Sequence, residues 1–364
     1  MKTNEIIKRL AAPVSGINKI IPKKNVILLY SNQGFRDNTR ALYDYIVSNG
    51  YLDRYKVVCA LGDSENYREL ETKNIKIVGR ITGIFWFLRS RYVFYCFDKY
   101  PIMPSKKQMV VHMWHGMPMK RIGNLEERNK GDKYDYFTYI MATSEFFKPI
   151  MSKAFNVDEN RVLICGEPKT DALGTNKDVK AILGIDRISK MIIWMPTYRV
   201  SDSLNDKIVT SDTNGIPIID THEKLEELNK VLSETRSVLF IKLHPIQNVT
   251  DIVSHKYSNI IFVNDELINK EGLSLYEFIS SADAMISDYS SSYMQFLLLN
   301  RPICFAVDDI EEYGKTRGFV LEDPTQIMPG RLAFIKEDIY TFIKELNQGI
   351  DENKEKREKI NRLL

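Results

Sequence analysis

Short apolar runs alternate with polar loops and helix-like amphipathic stretches along this chain, and the rhythm breaks near 174–190 and then starts again. Alternation of this kind builds a parallel sheet with helices on both faces. In the first half, Val26–Tyr30, Tyr55–Ala60, Ile75–Val78, Tyr92–Phe97, Met109–Met113, Tyr139–Ala142 and Val162–Cys165 read as strands. Thr39–Ser48 reads as a helix with Leu42, Tyr45 and Ile46 on one face. In the second half the strands are Met191–Met195, Ser237–Leu243, Ile260–Val263, Ala284–Ser287 and Ile303–Ala306, with helices near 222–234, 274–281 and 292–299. Ser201–Gly215 reads as a mobile polar loop, and the charged stretch 349–364 as a solvent-exposed helix. The 364 residues suit two domains at roughly 100–200 residues each. The expectation is an α/β chain of two Rossmann-like domains, 25–175 and 176–364, preceded by a distinct segment, 1–24. Such sheets bind ligands at the carboxyl ends of their strands, so the loops there are where chemistry belongs.

The composition supplies two cores: 44% of residues are hydrophobic and 27% charged. A net charge of +3 lacks the basic excess of a nucleic-acid-binding domain. The four cysteines, Cys59, Cys96, Cys165 and Cys304, sit in apolar runs without metal-ligand spacing and read as buried, reduced thiols. No secretory signal pattern is visible, and stretches such as Ile84–Leu88 and Phe296–Leu299 fall far short of the roughly 20 residues that span a bilayer. The expected location is the cytoplasm, free or on the inner membrane surface. In 1–24, six basic residues oppose Glu5, and Ile6, Ile7, Leu10, Ile17, Ile20 and Ile21 recur near helical spacing, interrupted by Pro13 and Gly16. This is either a basic amphipathic segment for an anionic membrane or a surface helix packed on its domain.

Three segments of the second half share one pattern, a polar or basic cluster just past an apolar strand. Ser287-Asp288-Tyr289-Ser290-Ser291-Ser292 joins a strand to a helix start, where backbone N–H groups and hydroxyls can hold an anion. A single N-cap needs only one of those side chains. Lys242-Leu243-His244-Pro245 presents His244, which an anion can hold protonated. Met195-Pro196-Thr197-Tyr198-Arg199 presents the planar fork of Arg199. Together these read as a pyrophosphate cradle. In the first half, Trp114-His115-Gly116-Met117-Pro118 breaks a strand sharply. His115 there is either a general base or a histidine bonded to the turn backbone. In Ser31-Asn32-Gln33-Gly34-Phe35-Arg36-Asp37-Asn38, Gly34 permits close approach of a ligand. Asp37 is a second possible base, though Asp37 or Asn38 as a plain N-cap is the stronger reading. Walker A, Gly-x-Ser-x-Gly and His-Glu-x-x-His patterns are absent, and no Asp-x-Asp pair follows a strand.

At these same segments the sequence resembles the CDP-glycerol glycerophosphotransferases of teichoic acid and capsule synthesis. The stretches are SNQGFRDNTRALYDYI (31–46), WHGMPMKRIG (114–123), GEPKTDAL (166–173), WMPTYR (194–199), KLHP (242–245), SDYSSSYMQFLLLNRPICF (287–305) and YGKTRGFVLEDPTQIMPG (313–330). The resemblance implies a GT-B-like fold, two Rossmann-like domains facing each other across a cleft, the first on the acceptor side and the second binding the nucleotide. It implies a CDP-glycerol or CDP-ribitol donor and a lipid-linked saccharide or polymer acceptor, with CMP released and neither a metal nor a cofactor used. His115 matches the catalytic histidine of that family. Arg199, His244 and Ser290, Ser291 and Ser292 match its donor-phosphate contacts; Arg317 in the RGF segment also matches a family motif and is assigned to the donor phosphates or the interdomain cleft. Gly34, Trp114 and Gly116 fall on the acceptor side. Met117, Glu167, Lys169 and Gln295 depart from the usual pattern. The alternatives are a GT-B glycosyltransferase using a nucleotide sugar, or a non-catalytic nucleotide-binding member.

Overall fold

The computed structural model describes residues 3–132, 134, 136–185, 187–197, 216–243 and 255–364. The chain forms two compact units, Met1–Met117 with Ile122–Asp171, and Pro118–Arg121 with Ala172–Leu364.

The first unit is a seven-stranded parallel sheet: β1 Lys24–Ser31, β2 Lys56–Leu61, β3 Ile75–Gly79, β4 Ser90–Tyr95, β5 Met109–His112, β6 Tyr139–Ala142 and β7 Val162–Ile164. Its order, β3-β2-β1-β4-β5-β6-β7, reverses direction between β1 and β4. Register sets Tyr30 beside Tyr95 and Tyr95 beside His112, so the carboxyl ends of β1, β4 and β5 lie side by side. The central strands are covered on both faces, which is why they read as continuous apolar runs. On one face Ile27, Leu29, Val57, Cys59, Ile75 and Ile77 pack with Tyr43 and Ile46 of the helix Asp37–Ser48.

The second unit is a six-stranded parallel sheet: β8 Lys190–Trp194, β9 Ser237–Lys242, β10 Ile260–Val263, β11 Ala284–Ser287, β12 Ile303–Ala306 and β13 Arg331–Ala333. Its order is β10-β9-β8-β11-β12-β13, with the reversal between β8 and β11. Ile192, Trp194, Leu239, Ile241 and Ile286 pack against helices His222–Glu234 and Lys336–Gln348.

Several expectations are corrected. The region 292–299 is a short α-helix, Ser292–Phe296, followed by a 3-10 turn, Leu297–Leu299. The charged tail is not wholly solvated. Within its helix Lys354–Leu363, Arg357 is 1% exposed, its guanidinium bonded to both Asp351 oxygens at 2.8 and 2.6 Å. Cys165 is exposed, whereas Cys59, Cys96 and Cys304 are buried, because Cys165 follows β7, the edge strand of its sheet, where Ile164 is exposed as well. The loop 201–215 lies outside the described residues.

The amino-terminal segment is one helix, Thr3–Ile20, running through Pro13 and Gly16. Its second half is held by polar contacts. Asn18 is fully buried and donates to Met103 O at 2.8 Å and Gln108 Oε1 at 3.0 Å. The Lys23 ammonium donates to Leu88 O at 2.6 Å, and burial lowers its pKa to about 8. Ile17 and Ile20 face outward, 49% and 80% exposed.

Candidate active site

In the first unit, three loops at the carboxyl end of the sheet converge on one lysine. After β1, Ser31 Oγ donates to Gly34 O at 2.5 Å, and Gly34 takes φ +86°, which closes the turn. The helix that follows begins at Asp37 with φ +59°, and Arg36 stands at its N-cap position without a side-chain capping bond. The plain N-cap reading of Asp37 or Asn38 is therefore corrected. Asp37 Oδ1 accepts from the next amide, Asn38 N, at 2.7 Å. Asn38 is fully buried and bridges two other loops: its Nδ2 donates to Trp114 O at 3.1 Å and its Oδ1 accepts from Lys169 N at 3.1 Å.

After β5, backbone with positive φ brackets His115, at Trp114 (φ +57°) and Gly116 (φ +136°). A non-glycine residue held left-handed costs of order 1 kcal/mol, so the surrounding contacts must fix it. The His115 ring meets Trp114 edge to face, centroids 4.1 Å apart, and Phe97 at 5.1 Å. Its Nδ1 is buried with no hydrogen-bond partner among the described residues, so the turn-bonded alternative for this side chain is not what the structure has. Burial lowers its pKa to about 4, Asp37 opposing and Lys169 and Arg36 reinforcing the shift. The imidazole is neutral at pH 7. His112, three residues earlier, is a core residue stacked on Tyr95 at 4.5 Å with Nε2 3.0 Å from Cys96 O.

After β7, the segment Glu167-Pro168-Lys169 returns to these loops. The Lys169 side chain is 3% exposed. Its Nζ lies 2.9 Å from His115 O, 3.2 Å from Asp37 Oδ2 and 3.7 Å from the equally buried Glu167 Oε1. Sequence reasoning registered Lys169 only as a departure from a motif, and Asn38 only as a possible N-cap.

In the second unit, β8 and β11 carry the corresponding loops. Met195 N donates to Ile286 O at 3.1 Å, extending the ladder, and Thr197 then donates twice to the fully buried Asp288 carboxylate, from N at 2.8 Å and Oγ1 at 2.6 Å. Asp288 thus clamps the exit of β8 two residues before Arg199. Arg199 and His244 themselves lie outside the described residues. Ser290, Ser291 and Ser292 are half-buried, and Ser292 Oγ donates to Ser290 Oγ at 2.9 Å. The helix they open has 5 residues, so the hydroxyls and loop amides are the donors here, with little macrodipole behind them. Tyr289, fully buried, packs on Tyr313 at 4.4 Å and Phe319 at 5.1 Å, joining the serine turn to the segment that carries Arg317. Among the described residues no group of three His, Cys, Asp or Glu side chains is placed to hold a metal ion, and no helix is long and apolar enough to cross a membrane.

Residues 14–364 match the family described as CDP-Glycerol:Poly(glycerophosphate) glycerophosphotransferase. The chain belongs to this family. Among glycerophosphotransferase relatives, it is 27% identical over 350 residues to a teichoic acid glycerol-phosphate primase of Bacillus subtilis (strain 168), covering 89% of this chain and 84% of the relative. It is 25% identical over 370 residues to a teichoic acid glycerol-phosphate transferase of Staphylococcus aureus (strain NCTC 8325 / PS 47), covering 93% of this chain and 88% of that one. The solved structure of the wall teichoic acid polymerase TagF superposes with a TM-score of 0.72 at 20% identity, over 98% of this chain and 88% of that chain. The glycerophosphotransferase fold seen here is accordingly GT-B-like, with two Rossmann-like domains.

Proposed function

We propose that this chain moves glycerol phosphate, or another polyol phosphate, from a CDP-activated donor to a hydroxyl of a lipid-linked saccharide or polymer, releasing CMP, in teichoic acid or capsule synthesis. The family match over residues 14–364 supports the reaction class. The observation that carries the mechanism is the buried His115 Nδ1, which has no hydrogen-bond partner among the described residues.

In this reading His115 takes the proton of the acceptor hydroxyl as its oxygen attacks the polyol-bearing phosphorus. The P–O bond to CMP breaks and a phosphodiester forms. A resting pKa of about 4 makes His115 a weak base in the free protein, but the negative charge of a bound pyrophosphate favours the imidazolium and raises its proton affinity. Asp37, whose charge also favours the imidazolium, supports it. Arg199, His244, Arg317 and the hydroxyls of Ser290, Ser291 and Ser292 hold the donor phosphates and take up the charge that collects on departing CMP. Gly34, Trp114 and Gly116 shape the acceptor side of the first unit. The exposed Ile17 and Ile20 fit attachment to the inner membrane surface, where a lipid-linked acceptor is found.

The test incubates the full chain with a lipid-linked disaccharide and radiolabelled CDP-glycerol or CDP-ribitol, following CMP and an alkali-labile phosphodiester. Release of CMP with product from either donor is the expected result, and the preferred donor identifies the polyol. Consumption of a nucleotide sugar in place of both CDP donors overturns the reading.

A further inference from the structure

We infer that Lys169 is a positioning residue for the transfer reaction, fixing the main chain of His115 and balancing the carboxylates beside it. The inference rests on the proposed role of His115 as the base.

Lys169 is where three separate stretches of chain are tied together. Its ammonium donates to the carbonyl oxygen of His115 at 2.9 Å and pairs with Asp37 at 3.2 Å, and its own backbone amide donates to Asn38 at 3.1 Å. Asn38 in turn donates to Trp114 O. The carbonyl oxygens on either side of the His115 Cα, those of Trp114 and of His115 itself, are therefore both gripped, the second by Lys169 directly and the first through Asn38. Asp37 and Trp114 hold left-handed backbone at φ +59° and +57°, and these contacts are what offset that cost.

The burial shows that this ammonium is not a surface charge. A lysine loses side-chain entropy when fixed and hydration when buried, and it is stable inside only where carboxylates and carbonyls meet it. Here Asp37 and Glu167 supply two negative charges to one positive. The other groups that act electrostatically with His115 are Arg36 at the helix entry and the neutral His112 on β5. Lys169 is thus a buried cation that touches both Asp37 and the main chain of the base. Its charge lowers the proton affinity of His115, and that of Asp37 raises it. Removing the ammonium acts twice in the same direction: the lowering influence goes, and the carboxylates are unmasked.

The experiment compares the full chain with Lys169→Met, Lys169→Arg and Asp37→Asn, reading the His115 ring C–H resonances by NMR across pH, assigned with His115→Gln, alongside steady-state CMP release. In Lys169→Met the His115 titration moves to higher pH, and turnover falls by about 10²-fold as the loop loses its tether, while donor KM changes less than twofold. Lys169→Arg keeps the wild-type titration and recovers most of the turnover. Asp37→Asn, which retains Lys169, moves the titration to lower pH and serves if Lys169→Met does not fold. A purely structural lysine would reduce the amount of folded protein and leave the His115 titration of the folded fraction in place. That result, or full turnover in Lys169→Met, overturns the inference. Shifted titration in a chain that releases no CMP from any donor would instead overturn the functional reading while leaving the electrostatic role of Lys169 standing.

Discussion

Arg121 runs antiparallel against Gly318, its amide donating to Gly318 O at 3.0 Å while its side chain lies where a Cβ on residue 318 would stand, Cδ at 2.7 Å. Lys120 bridges Phe319, and Val320 N donates to Met119 O at 2.8 Å. The segment that follows the His115 turn, Pro118–Arg121, is in this way built into the second unit, next to Arg317.

Gly318→Ala is expected to be destabilising for two reasons. Its φ of +69° is left-handed, and the added methyl meets Arg121. Gly349, at φ +75° with nothing within 4 Å of the added carbon, isolates the first reason. Gly349→Ala should cost about 1 kcal/mol and Gly318→Ala more, with Arg121→Ala relieving the difference. Urea melts of the single and double variants measure this, and equal costs at the two glycines would show that the Arg121 contact is easily displaced.

For His115→Ala, donor binding should survive while turnover drops by at least about 10²-fold, the usual range for loss of a general base. Equilibrium binding of CDP-glycerol beside single-turnover CMP release separates the two. A weakened donor affinity with unaltered turnover would reassign His115 to donor binding and make Asp37 the next candidate base.

The two buried imidazoles also govern acid stability. Burial lowers His112 to about 3 and His115 to about 4, both beneath the unfolded value of about 6.5. Between those values and 6.5 the unfolded chain binds more protons than the folded one. The stability they contribute is therefore complete above pH 6.5 and declines as pH falls toward 4, by about 1 kcal/mol per pH unit for each imidazole. Urea midpoints at pH 7, 6 and 5 should fall together with pH, and His112→Phe should flatten the slope. A midpoint that stays level down to pH 5 would mean that both rings protonate freely in the folded state.

The parts of this molecule that were legible in sequence are those set by local pattern. Tyr139–Ala142, Ile260–Val263, Ala284–Ser287 and Ile303–Ala306 are strands with the bounds their apolar runs suggest; Ala284–Ser287 and Ile303–Ala306 are buried on both faces and leave no polar alternation to blur their ends. The helix Lys336–Gln348 buries Ile339, Phe342, Ile343 and Leu346 at helical spacing, a signal in plain view that the strand pattern overshadowed. The three-residue β13 has no period to detect. Glycine and histidine at a strand end announced the His115 turn. Lys169 gave no such sign, because a lysine belongs on the surface unless something inside calls for it, and its partner Asp37 stands 132 residues earlier in the chain. Asp288 is similar. Its sequence neighbourhood advertises serines, while its carboxylate is spent on Thr197, 91 residues away.

The helix Thr3–Ile20 makes a specific prediction about membrane attachment. Removing residues 1–24 is a poor test, because the buried Asn18 and the Lys23 ammonium hold Met103, Gln108 and Leu88, and deletion would disturb the first unit. Ile17 and Ile20 carry none of those contacts and are 49% and 80% exposed. Replacing both by Ser should change the unfolding free energy from urea melts by no more than about 0.5 kcal/mol per residue, as for surface substitutions generally. The same change should reduce sedimentation with vesicles of phosphatidylglycerol at high salt, where the attraction of basic residues, about 1 kcal/mol each at most, is screened and apolar insertion alone remains. At low salt the two proteins should differ less. Reaction with a membrane-embedded acceptor should fall in the double variant while reaction with a short soluble analogue persists. Identical sedimentation of both proteins at every salt concentration would exclude these isoleucines as the attachment surface and leave Thr3–Ile20 as a helix that only completes the first unit.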